Sequence, residues 1–60
     1  MKRFIYEVYF TNQNYHEYNY WESDSYRSAK KEINKAWKSD ENAVITMIAE
    51  IKYEDYSKEN

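Results

Sequence analysis

The sequence predicts an α+β fold of ββαβ order, and three observations carry that reading. The run Phe4-Ile5-Tyr6-Glu7-Val8-Tyr9-Phe10 is almost wholly aromatic or apolar, and such residues suit a pleated strand better than a helix. Two further alternating stretches, near 15–22 and 43–54, repeat the two-residue period of a strand. Between 25 and 38 the apolar residues are spaced as on a helix instead. A tight hairpin makes the first two strands antiparallel, and the helix returns the chain to the far side of strand 1. The expected architecture is a three-stranded antiparallel sheet in order 2-1-3, with one helix packed on one face.

Strand 1 is expected over residues 3–11, with Phe4, Tyr6, Val8 and Phe10 on the core side and Ile5, Glu7, Tyr9 and Thr11 opposite. Asn12-Gln13-Asn14 makes the turn. The chain has no glycine, so asparagine is the best residue for any left-handed position there. In strand 2, Tyr18 and Tyr20 are assigned to the core side and Tyr15, Glu17 and Trp21 to the other. Aromatics stand at both parities, so a slip of one residue would exchange the two sets.

The helix is expected over 25–38. Ser23, Asp24 and Ser25 supply capping oxygens, and Asp24 suits the positive end of the helix dipole. Tyr26, Ala29, Ile33, Ala36 and Trp37 form its apolar stripe, and Lys35 and Lys38 complement its negative end. Asp40 or Asn42 would take any left-handed position at its close. In strand 3 (43–54), Val44, Thr46, Ile48, Glu50 and Lys52 lie on one side and Ile45, Met47, Ala49, Ile51 and Tyr53 on the other. Residues 55–60 read as a frayed polar tail of a single 1–60 domain.

Composition narrows the function. Sixty residues bury only about 60% of the surface that the unfolded chain exposes, so stability is thin. There is no cysteine, which removes disulfides and thiolate metal sites. Dense aromatic packing or self-association is left, and eight of the residues are tyrosines. No signal peptide or membrane span is legible, so a cytoplasmic protein is expected. The net charge is −2, which gives no overall attraction to nucleic acid. Within 25–39, Arg27, Lys30, Lys31, Lys35 and Lys38 face a single Glu32, so one basic element sits in an otherwise acidic chain.

The candidate site is the sheet face that one helix cannot cover. On the expected registers it shows Ile5, Tyr9, Tyr15, Trp21, Val44 and Ile48, with Glu7, Glu17 and Glu50 among them. A contiguous apolar patch of this kind marks an interface, and tyrosine and tryptophan are enriched at interface hot spots. Edge strands 2 and 3 also leave backbone groups open to strand addition. The expected function is a non-catalytic protein-binding module, with a homodimer expected. One alternative is a single-strand nucleic-acid binder stacking bases on Tyr9, Tyr15 and Trp21; another is a structural homo-oligomer subunit. Arg27, Lys31, Lys35 and Lys38 could contact an acidic partner, although lysine is also the ordinary filler of exposed helix positions. His16 is the sole histidine, with no thiol or glycine-rich loop to work with, so no catalytic residue, metal or cofactor is expected.

The Lys2-Arg3-Phe4-Ile5-Tyr6 opening, the Asn/Lys/Tyr/Glu bias and the plan of one hairpin, one helix and one strand together resemble the small orphan proteins of phages and prophages of AT-rich bacteria. That resemblance implies a protein that binds and modulates a host factor, such as an immune nuclease, a polymerase or a chaperone, in the host cytoplasm.

Overall fold

A computed structural model describes residues 1–52. The element order is β1 (Lys2–Phe10), β2 (Tyr15–Ser23), α1 (Tyr26–Ala36) and β3 (Ala43–Ile51). The sheet order is β2-β1-β3, with both outer strands antiparallel to β1. The α+β plan read from the sequence is therefore the observed one. Tyr53, Glu54 and the expected tail 55–60 lie outside the described residues.

The core sits between β1 and α1. Phe4, Tyr6 and Val8 from alternate positions of β1 meet Ala29 and Ile33 from one stripe of the helix, and all five are buried. Alanine at position 29 lets the helix lie close to the sheet, while Ile33 fills the centre. Around this core, Phe10, Trp21, Trp37, Ala43, Ile45 and Ile48 pack half-buried. Two contacts fix the height of the helix above the sheet. Trp37 Nε1 donates to the Tyr6 hydroxyl (3.0 Å), and Trp37 also meets the Phe10 ring edge-on at 5.7 Å. The Trp37 body thus seals the end of the core while its polar atom finds a partner.

The ends of α1 follow elementary capping rules. Ser25 is extended (φ −152°) and its Oγ accepts from Ser28 N at 3.1 Å. Asp24 precedes this cap, so the first turn itself holds no acid. Lys35 is the basic residue of the last turn, and Lys38 falls beyond it. The expected left-handed residue at Asp40 or Asn42 does not occur: among the described residues only Asn14 has a positive φ (50°). The chain closes by successive tight turns, with Asp40 N bonded to Trp37 O and Ala43 N to Asp40 O, both 3.1 Å. Asp40 Oδ1 accepts from Asn42 N (3.0 Å). A side-chain acceptor here replaces the backbone freedom that glycine would supply.

Two features of register depart from the sequence expectation. The hairpin loop is one residue longer than the expected 12–14, because Thr11 belongs to it and Phe10 pairs with Tyr15. Gln13 N closes the turn on Phe10 O (3.1 Å) and Asn14 takes the left-handed position. Each added loop residue moves a strand's side chains to the opposite face. Tyr15, Glu17 and Trp21 consequently pair with Phe10, Val8 and Phe4 on the helix side, and Tyr18 and Tyr20 with Glu7 and Ile5 on the open side. In β3, a bulge lies between the pairs Glu7↔Met47 and Val8↔Ile45. Thr46 is the extra residue, so no single alternation describes the strand. Ile45 and Ile48 both pack on the core, and Val44, Met47 and Ala49 share the open side.

Candidate functional site

The open side of the sheet is built in rows across three strands. The pairings place Glu22, Arg3 and Ile51 in one row and Tyr20, Ile5 and Ala49 in the next. Tyr18, Glu7 and Met47 follow, then His16, Tyr9 and Val44. The middle strand is half-buried by its neighbours, while the flanking side chains stand out. Tyr18 is 58% exposed and Tyr20 62%, and Val44 and Met47 are also exposed.

Glu7 organises the centre of this face. Its Oε2 accepts from His16 Nδ1 at 2.9 Å, and its Oε1 accepts from Thr46 Oγ1. The Thr46 hydrogen bond, joined by those of Tyr18 and His16, holds the Glu7 carboxyl below its ordinary range against the opposing effect of burial. An ionised carboxylate only accepts, so the imidazole nitrogen facing it carries the proton. The reciprocal effect appears at Tyr18, whose phenol is raised above its ordinary value by the hydrogen bond and charge of Glu7. Tyr9 is fixed beside it: its hydroxyl donates to Asn14 Oδ1 (2.8 Å) and its ring lies 4.5 Å from the His16 ring. Arg3 sits over the Tyr20 ring at 5.7 Å, a cation–π contact that limits how far that exposed ring can swing.

Of the residues expected on this face, Ile5, Tyr9, Val44 and Glu7 are present. Tyr15, Trp21, Ile48, Glu17 and Glu50 lie on the helix side. Trp21 packs edge-on to Tyr6 (6.3 Å) and donates to Glu32 Oε1 (2.9 Å), while Tyr15 stacks on Phe10 at 6.2 Å. Glu17 accepts from Asn19 Nδ2 (3.0 Å). Tyr9, Tyr15 and Trp21 therefore do not form one stacking platform. The residues the sequence reading missed are His16, Tyr18, Tyr20 and Met47. The length of the hairpin loop and the bulge at Thr46 hid them, and neither leaves a residue-type signature here. Arg27, Lys31 and Lys35 stand exposed on the helix, and Lys38 just past its end, all on the layer opposite the tyrosines.

The arrangement is a pre-set contact surface: rings of fixed direction, with one carboxylate shared among three side chains. Among the described residues no three His, Asp or Glu side chains come together as a metal site, and no helix is long and apolar enough to cross a membrane. Among the described residues, fold and face define a two-layer α+β module with a helix on one side of the sheet only. No family model, curated protein or solved structure matches the chain.

Proposed function

We propose that the protein is a non-catalytic binding module that docks on the surface of another protein through the open side of its sheet. The observation that carries this reading is the exposure of Tyr18 (58%) and Tyr20 (62%) beside exposed Val44 and Met47 on one side of the sheet. Aromatic rings held in place contribute large contact area at little further loss of conformational freedom, which is why tyrosine recurs at hot spots. The surface carries Arg3 against Glu7 and Glu22. That small acidic excess is complemented by a partner surface with a basic rim. The resemblance to phage proteins points the same way, towards a host factor whose working surface is occupied.

The test compares the intact protein with a Tyr18→Ala/Tyr20→Ala variant. Both are used as bait in lysate of the source cell, with light scattering of the free protein alongside. A partner captured by the intact protein and lost by the variant, at unchanged thermal midpoint, supports the reading. Equal capture by both would remove the open face from the interaction. A stable homo-oligomer that the variant dissolves would make the second copy the occupant instead.

A further inference from the structure

The helix does not sit evenly over the sheet. The Trp21–Glu32 hydrogen bond ties it towards β2, and on its other flank a groove opens between Tyr26, Lys30 and Asn34 of α1 and residues 45–48 of β3. The floor of this groove is apolar, from Ile45 and Ile48. Its outer lip is the free edge of β3, which pairs with β1 alone in the described sheet and so presents unpaired backbone donors and acceptors.

The side chains next to the sheet differ in charge between the two flanks: Lys30 on one, Glu32 on the other. At about 100° per residue, Lys30 and Asn34 stand on the flank above β3, Arg27 lies higher on that flank, and Lys31 falls on the crest opposite Ala29 and Ile33. Glu32, the helix's one acid, falls on the flank above β2. Arg27, Lys30 and Lys31 are exposed and make no ion pair among the described residues. A strand edge with no second partner among the described residues, an apolar floor and the Lys30 ammonium, with Arg27 above it, thus coincide.

We infer that this groove binds an extended acidic peptide, which adds to β3 as a fourth strand. Its backbone takes up the open hydrogen bonds of the edge, the recognised mode of strand addition. Side chains rising beside the helix are acidic, with their stems over Ile45 and Ile48 and their carboxylates towards Lys30 and, further up, Arg27. Those on the other side are apolar and continue the row of Met47. A single-stranded nucleic acid fits less well, because a phosphate chain makes no use of a strand edge and the cationic track is short. This site shares Met47 with the open face but needs neither Tyr18 nor Tyr20.

The probe is a blocked peptide of four Glu-Val repeats, titrated into isotope-labelled protein and read by backbone amide shifts. Its Lys-Val counterpart and an oligothymidine serve as comparators. Binding of the acidic peptide should move the amides of 45–48 and of Lys30, and should weaken as salt is raised. The exposed substitution Lys30→Glu should lower its affinity by about tenfold and turn preference towards the Lys-Val peptide, at unchanged fold. Equal response to both peptides, no response at millimolar peptide, shifts confined to Tyr18 and Tyr20, or stronger binding of oligothymidine at the same residues would each overturn the assignment. The Tyr18/Tyr20 variant reads the proposed docking face independently, so failure of one does not imply failure of the other.

Discussion

The two sides of β1 are made by alternate residues of a single strand, yet they are held by different forces. On the helix side, Phe4 and Val8 are 0% exposed and Tyr6 4%. They are positioned by volume, against Ala29 and Ile33. On the open side, Ile5, Glu7 and Tyr9 are only half-buried, and polar contacts position their surroundings: Glu7 to His16 and Thr46, Tyr9 to Asn14. The comparison teaches that a chain this small can order a second surface without building a second core. Packing supplies stability on one side, while hydrogen bonds supply shape on the other.

The sharpest way to break that contrast is to place the same charge on each side. Val8→Asp buries an unpaired carboxylate against Ile33 and should unfold the domain, since a core of this size supplies only about 3–5 kcal/mol in all. Loss of the cooperative transition in circular dichroism is the expected readout. Val44→Asp, on the open side, should leave the transition in place. Next in size is Trp37→Phe, which keeps an aromatic ring but removes the pyrrole half of the indole, and with it the donor to the Tyr6 hydroxyl. A loss of about 1–2 kcal/mol in urea unfolding is expected, since Tyr6 is buried and its oxygen would lack that partner.

The third prediction concerns pH. Glu7 has a lower pKa folded than unfolded, so the unfolded chain binds more protons in the window below the ordinary value of 4.5. The stability it contributes is complete above that value and is lost as pH falls through its folded pKa. Glu7→Gln should flatten this part of the acid limb in urea midpoints measured across it. The same substitution should bring the Tyr18 phenol back down towards 10.0, as followed by ring proton shifts. An unchanged acid limb would mean that Glu7 is no more favoured in the fold than in the open chain. The smallest effect is Tyr20→Ala. Its exposure predicts a stability change within about 0.5 kcal/mol, while any partner affinity carried by the open face should drop.

Element type and order were legible because β1 and the helix each carry a clear period and 43–51 is a β-rich run with no helical spacing. The core was legible too, since Phe4, Tyr6, Val8, Ala29 and Ile33 obey those periods without exception. The open face was legible along β1 and, in β3, at Val44. In β2, Trp21 and Tyr15 at odd positions compete with Tyr18 and Tyr20 at even ones, and apolarity cannot choose between them. What decides is outside the strand: a four-residue loop in place of three, and a glutamate on the helix placed to receive the Trp21 N–H. In β3 the sequence Ile45-Thr46-Met47-Ile48 reads as plain alternation, and only the pairing with β1 exposes the extra residue. A side-chain period is a local quantity, whereas the phase of one strand against the next is set by turns and bulges.

Thr46 has one more consequence. It is the residue that β1 does not match, so the halves of β3 before and after it keep opposite parity. Deleting it would restore one unbroken alternation and leave Ala43, Ile45, Ile48 and Glu50 facing α1 as they do now. The shortened chain should therefore still fold, losing the hydroxyl contact to Glu7 and little else, as amide fingerprints would show. The strand has a spare link, and its length can change by one without rewriting the interior.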